Sequence, residues 1–398
     1  MNQHPAIVFA FACALCVWAA GLGCAQLEAQ AQLISEPASI DDDILDAEIR
    51  KKIDQSVDRG LAWLATQQQP DGSFLCIKSG QPAVTSFVLM AFLASGESPA
   101  DGKYSAALSR AIDFIVSQQK KNGLLASIAS DVAPISRERG AAGLFAHNAI
   151  IYNHAISALA LAETYGQCNE DQAEKITGVI EKAIKATLEM QNWEGKGPLE
   201  VGGWKYIAKE FGGDADLSST AWQVMFLRSA KNAGFDVPKE SIDRAMEYVE
   251  KCFHEKSEVF HYDPFNKKSK SRALAGAGVV ALAHGGRHNT EKAQKSGDWI
   301  LTRDFTKYNA DKSIGDLKWQ PDRYHYGVFH CSQAMYQLGG KHWSAFYPPV
   351  VETLLTNQKD DGSWPVEKYD KRYGNCYSTS LCLLSLSIPN QLLPMFQR

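Results

Sequence analysis

Two segments gather most of the side chains that could do chemistry. The first, GGWKYIAKEFGGDADLSSTAW from Gly202 to Trp222, brings the carboxylates Asp214 and Asp216 to the start of an apolar helix, with Trp204, Tyr206 and Trp222 around them. A carboxyl group in a partly apolar cavity keeps its proton to higher pH and can serve as a general acid. An aspartate just before a helix is also a good N-cap, and there the helix N–H groups favour its charged form. Both readings of Asp216 stay open. The second segment, WQPDRYHYGVFHCSQAMYQLGGKHW from Trp319 to Trp343, sets Tyr326, Phe329 and His330 on one helix face, with Tyr324 and His325 just ahead. Such rings stack on a ligand, stabilise positive charge, or fill the space between helices. Tyr377, at the start of the last apolar run, is a further aromatic of this kind. The candidate catalytic residues are Asp214 and Asp216. The candidate ligand-binding residues are Trp204, Trp222, Tyr324, Tyr326, Phe329, His330 and Tyr377.

Other chemistries find no support. His325 and His330 are five apart, which is not the spacing of an HExxH zinc site, so no metal is expected. No GxGxxG, GxxxxGK or GxSxG occurs and no cofactor is expected; Ser313 to Asp316 reads as a turn. With 41 basic and 45 acidic residues, a net charge of -4, the chain offers no basic field for a nucleic-acid partner.

The elements that must position these residues are helices. Apolar periodicity predicts six helical hairpins: 53–68 with 84–95, 106–119 with 152–166, 172–191 with 218–232, 239–253 with 272–284, 290–303 with 326–338, and 347–358 with 377–387. The first helix of each pair is one-sided, as in Ala245, Met246, Tyr248 and Val249 against Arg244, Glu247 and Glu250. The second has no broad polar face, as in Ala273, Ala275, Ala277, Val279, Val280 and Leu282. Exposed and surrounded helices in alternation imply two concentric layers. An open stack needs polar repeats at its ends, yet the last second helix, through Leu381 and Leu386, is as apolar as the internal ones. The expected fold is all-α, an (α/α)6 toroid over residues 51–398, with the starts of the inner helices converging on a central cavity. A small figure punctuates the outer helices: Gln, a turn glycine, an apolar closer. It occurs at Gln67, Gly72 and Phe74, at Gln118 and Gly123, and at Gln358, Gly362 and Trp364.

Residues 1–31 read as an export signal, with an apolar run from Ile7 to Leu22 and cleavage after Ala29-Gln30-Ala31; lipidation at Cys24 is the alternative. The mature chain would then be periplasmic or secreted, with residues 32–50 as a polar linker and no integral membrane segment. Six of nine cysteines lie beyond residue 31: Cys76, Cys168, Cys252, Cys331, Cys376 and Cys382. Their spacing fits no CxxC site and does not pair them.

With the Gln-x3-Gly-x-aromatic figure intact at Gln358 to Trp364 and one residue longer from Gln67, the chain resembles the squalene cyclase and protein prenyltransferase β-subunit superfamily of α/α toroids. It is most similar there to exported bacterial prenyltransferase and squalene oxidase repeat proteins of unassigned activity. The resemblance implies the toroid and a cavity for an isoprenoid-like ligand. The cyclases of that superfamily protonate a polyene through Asp-x-Asp-Asp-Thr-Ala, and the matching residues are Asp216 to Ala221, with Ser218 and Ser219 in place of the acidic pair. A serine hydroxyl is far too weak an acid to protonate an alkene. The prenyltransferases hold zinc through an aspartate, a cysteine and a histidine; Cys376-Tyr377 is similar to part of that signature, but Gly374 stands at the aspartate.

Three functions follow as expectations: an exported toroid binding an isoprenoid-like or other lipid with a degenerate acid motif, a non-catalytic scaffold, or a polysaccharide lyase or hydrolase pairing Asp214 or Asp216 with Asp322. Whether the protein is an enzyme is left open at this level, and the partner expected is a hydrophobic small molecule.

Overall fold

The computed structural model describes residues 44–397 except 132–134, 136–143, 208–214, 266–268, 311–322 and 369–370, and for 144–147 the backbone alone. The residues expected as an export signal, Cys24, Asp214, Asp322 and the expected turn at Ser313 lie outside the described residues.

Among the described residues twelve α-helices appear in order: α1 (Ala47–Thr66), α2 (Ala83–Ala94), α3 (Ser105–Ser117), α4 (Leu144–Thr164), α5 (Glu170–Gln191), α6 (Leu217–Asn232), α7 (Lys239–Lys251), α8 (Arg272–His284), α9 (Glu291–Leu301), α10 (Tyr324–Leu338), α11 (Gly340–Thr356) and α12 (Gly374–Ser387). The even-numbered helices form an inner ring in which each packs on the next and α12 packs back on α2. This closure is the expected (α/α)6 toroid. Every residue of α2 is buried, and so is nearly every residue of α8 and α12. The odd-numbered helices keep one polar face outside; α7 buries Ala245, Met246, Tyr248 and Val249 and leaves its charged residues toward water. Small residues let the inner helices approach closely. A Cβ added at Gly276 of α8 would lie 2.7 Å from the carbonyl carbon of His330 on α10.

Three helices begin well before their expected starts, the first of them α1, which starts at Ala47 rather than near 53. The second hairpin's inner helix starts at Leu144, not near 152, through a weakly patterned stretch. The last outer helix starts at Gly340, ahead of Pro348 and Pro349, which periodicity alone reads as a boundary. Its early turns are held by packing: Trp343 stacks on Tyr347 at 3.9 Å, and the Tyr347 hydroxyl donates to the Leu386 carbonyl on α12.

The glutamine figure joins neighbouring hairpins, and its register is one residue later than the sequence suggested in two copies. Gln68, not Gln67, donates from Nε2 to the carbonyls of Gly72 (3.1 Å) and Ala107 on α3 (2.7 Å). Gln119, not Gln118, does the same to Gly123 and to Val179 on α5. Gln67 and Gln118 are instead the C-caps of their helices. Gln358 reaches Gly362 and Ser56 on α1, closing the ring, and Gln191 reaches Gly202 and Ser241 on α7 through a longer loop. Each amide thus bonds its own turn and the next outer helix. The turn glycines have positive φ, 94° at Gly202 and 91° at Gly362, and face the carbonyls of Arg244 and Arg59 so closely that a Cβ would fall well under 3.0 Å away. The closer's backbone N–H then binds the inner helix: Phe74 to Thr85, Trp204 to Thr220 and Trp364 to Thr379, each at 3.0 Å. At the second joint Leu125 donates to His154 Nδ1 instead, and burial pulls this imidazole down to about 3, so it stays neutral and accepting. The fourth and fifth hairpins lack the figure among the described residues. A short hairpin of β1 (Phe253–His254) and β2 (Val259–Phe260) follows α7.

The chain's last segment fills the ring at the carboxyl ends of the inner helices. Leu393, Met395 and Phe396 are buried, and the Met395 N–H donates to Glu163 Oε2 of α4 at 3.1 Å. The other Glu163 oxygen accepts from Ser229 of α6 at 2.6 Å, and burial raises this carboxyl group to about 7.

Candidate ligand cavity

At the opposite end the inner helices begin around open space. Two adjoining chambers, of about 430 and about 110 Å³, share Ala149, Tyr152, Ser218, Arg323, Tyr326 and Tyr373 in their walls. The larger adds Tyr206, Tyr262, Ser271 and Arg372; the smaller adds Phe87, Asn153 and Tyr377. The lining is therefore tyrosine and arginine over an apolar base, and no Asp or Glu is among these residues. It follows from position: Tyr326, Arg323 and Ser218 lie at inner-helix starts, where the outer-to-inner loops place them at the mouth.

One layer deeper the hole of the ring is filled. Trp222 of α6 and Phe329 of α10 stack with centroids 5.7 Å apart and planes 9° from parallel. Phe87 meets Trp222, Phe329 and Tyr377 edge-on at 5.6, 6.2 and 6.0 Å. Tyr326 bridges wall and floor: its hydroxyl accepts from Trp222 Nε1 at 2.8 Å and shares a hydrogen bond with Ser218 Oγ at 2.9 Å. His330 is sealed between Tyr326 and Trp222, at 4.5 and 5.0 Å, with neither ring nitrogen bonded, and burial drives it to about 3. It is a neutral member of the aromatic cluster.

The structure divides the sequence-derived candidates accordingly. Tyr326 and Tyr377 line the cavity; Trp222, Phe329 and His330 pack behind Tyr326 and Phe87 and are not among its lining residues. Trp204 does not reach it. Its indole donates to the Thr187 carbonyl at 2.8 Å and closes the third joint. Tyr324 is turned into the wall, its hydroxyl on the Phe305 carbonyl at 2.9 Å. Asp216 is buried behind the lining as the N-cap of α6, accepting from the Ser219 N–H at 2.8 Å and the Ser219 hydroxyl at 3.0 Å. Of the two opposed influences on its proton, burial wins. The carboxyl group rises to about 6, although nearby Lys205 and the Ser219 N–H favour its charge.

Sequence reasoning missed Tyr152, Tyr262, Arg323, Tyr373 and Arg372. Arg323, Arg372 and Tyr373 stand immediately before inner helices, so position alone could have found them. Tyr152 opens the helix expected over 152–166, so position could have found it as well. Tyr152, Tyr262 and Tyr326 resist ionisation: burial pushes Tyr152 and Tyr262 well above their ordinary range and Tyr326 to about 12. They are hydrogen-bonding groups rather than bases at neutral pH.

No family model matches the chain, and no curated protein matches it in sequence. Solved structures do match. The type II terpene cyclase MstE from Scytonema, in complex with merosterolic acid A, aligns over 88% of this chain and 100% of its own, with a TM-score of 0.56 and 14% identity. A glycosidase variant aligns over 88% of this chain and 100% of its own at 0.56 and 10%. The GH76A α-1,6-mannanase of Salegentibacter sp. HEL1_6, in complex with α-1,6-mannotriose, aligns over 84% and 98% at 0.55 and 12%. What they share with this chain is the fold. A terpene cyclase, a glycosidase and a mannanase thus share one α/α toroid, so activity must be argued from the cavity's own side chains. Among the described residues no helix is long and apolar enough to cross a membrane.

Proposed function

We propose that this toroid binds a hydrophobic, isoprenoid-like small molecule in the chamber walled by Tyr152, Tyr262 and Tyr326, without acid catalysis by Asp216. The supporting observation is the chamber itself. At about 430 Å³ it falls within the range of small-molecule sites, and its wall of tyrosines beside Ala149, Ala273 and Leu274 suits a mainly apolar ligand with a few polar atoms. Asp216 supports the non-catalytic half of the reading, because it caps α6, its oxygens are held by Ser219 and Tyr262, and it is not among the lining residues. A hydrolase pairing Asp214 or Asp216 with Asp322 would need two carboxyl groups across one cleft; Asp216 is not among the lining residues, and Asp214 and Asp322 lie outside the described residues. Export through residues 1–31 belongs to the same proposal and is checked by fractionation of cells expressing the full chain.

The test is retention of a C20 prenyl alcohol by the full chain in native mass spectrometry. Wild type should hold one molecule. Tyr326→Ala should weaken retention by about tenfold, the equivalent of roughly 1.4 kcal/mol, while Asp216→Asn retains it. A wild type that releases the prenyl alcohol while holding a mannooligosaccharide would overturn the lipid reading in favour of a glycan.

A further inference from the structure

The loop between α1 and α2 runs beside the first turn of α12, and a cysteine lies on each side. Cys76 is half-buried in the loop and Cys376 is buried in the helix; both are free thiols. Several contacts bring the two stretches together. A Cβ added at Gly80 would sit 2.6 Å from Cys76 Sγ and 2.8 Å from Cδ1 of Tyr373, so that sulfur and that ring flank one point. A Cβ at Gly374 would be 3.7 Å from the Leu75 carbonyl oxygen, and the Cys376 thiol is hydrogen-bonded to the backbone of Leu75. Leu75-Cys76 and Tyr373-Cys376 are therefore neighbours on the seam where the last hairpin meets the first.

We propose that Cys76 and Cys376 form a reversible disulfide across this seam. The bond would fasten the ring where its two chain ends meet, between segments some 300 residues apart in sequence, and loop closure over such a span is where a cross-link constrains the unfolded chain most. It would also pin the cavity wall, because Ser79, Gly80, Tyr373 and Tyr377 of the smaller chamber lie on the two joined stretches. Two thiols lose two protons and two electrons as the S–S bond forms. A disulfide such as oxidised glutathione accepts them and leaves as two thiols, through a mixed disulfide on the more exposed Cys76. Burial pushes each thiol up to about 12, helped at Cys76 by the neighbouring Cys376, so the reaction is slow at neutral pH and gains from alkaline conditions or a catalyst. Elsewhere the thiols of Cys168 and Cys331 donate to the carbonyls of Thr164 and Arg272 on their own or the adjoining helix.

The full chain incubated with oxidised glutathione at about pH 8.5, where more thiolate is available, then alkylated and digested, should yield one cross-linked peptide pair joining Cys76 to Cys376. Two fewer thiols should be alkylated than after reduction. The oxidised protein should melt a few degrees higher than the reduced one, a difference that Cys376→Ser abolishes while leaving Cys76 glutathionylated. Alkylation of both cysteines after oxidation, or cross-linking of either to a different cysteine, overturns the proposal. The wild-type peptide map decides this even if a serine variant fails to fold.

Discussion

At the carboxyl ends of the inner helices the chain's own last residues, Leu393 to Phe396, fill the ring, whereas at the amino ends the same ring surrounds about 430 Å³ of space. The polar fittings differ as well. The closed end is tied by one buried carboxylate, Glu163, to one backbone N–H, that of Met395. The open end is held at its circumference by four glutamine joints, each bonding a turn to the neighbouring outer helix. A ring braced from outside can leave its middle open, so rigidity and a cavity coexist at that end. The closed end needs no such bracing, because apolar side chains occupy the centre.

The sharpest way to break the open end is to crowd one joint. Gly202→Ala places a methyl group against the Arg244 carbonyl at a backbone with φ of 94°. Overpacking and left-handed strain together should cost about 3 to 4 kcal/mol, or prevent folding. Gly234 has nearly the same φ, 93°, but open space around it. Gly234→Ala should cost only about 1 kcal/mol, the conformational part alone. Urea denaturation of the two variants separates the terms, and equal losses would show that the joint contributes nothing beyond backbone conformation.

The closed end should reveal itself through pH. Burial raises Glu163 from 4.5 to about 7, so the folded chain holds this proton more tightly than the unfolded chain does. Between about pH 4.5 and 7 the folded state binds more protons, and stability from this group therefore falls as pH rises and is lowest above 7. The full swing is of order 3 kcal/mol. Glu163→Gln keeps an acceptor for Ser229 or Met395 without a charge, so it should be more stable than wild type above pH 7 and lose this slope. Parallel slopes for both proteins between pH 5 and 8 would remove Glu163 from the account of that end.

Six hairpins, two layers and closure were all legible because helical periodicity and the absence of a polar face on Ala273 to Leu282 report burial directly. The register of the joints was not. Three consecutive glutamines at 67–69 look alike in sequence, and only the position of the C-cap shows that Gln68 is the one free to turn toward α3. The site was half legible. Aromatics at inner-helix starts were identified by type, but whether a ring faces the opening or the floor depends on rotamer and on a one-residue rotation about the helix. Thus Tyr326 lines the cavity, while Tyr324, two residues earlier, points into the wall. Asp216 looked like chemistry because of its neighbours, and its burial behind Tyr206 and Tyr262 came from loop geometry that periodicity does not encode.

The smallest effect tests the link between cavity wall and floor. Tyr326→Phe keeps the ring but leaves Trp222 Nε1 without its acceptor in a sealed site and removes the bond with Ser218. A buried donor left unpaired costs about 1 to 2 kcal/mol. In a Trp222→Phe background the donor is already gone, so Tyr326→Phe there should cost less, giving a coupling of roughly 1 kcal/mol in a double-mutant cycle. Additive losses would mean that the Tyr326 hydroxyl and the Trp222 indole are uncoupled and that this hydroxyl can turn to a ligand without competing with the indole. A positive coupling would mean that a ligand seeking that hydroxyl must first compete with the indole, and retention of the prenyl alcohol by Tyr326→Phe should then be unchanged.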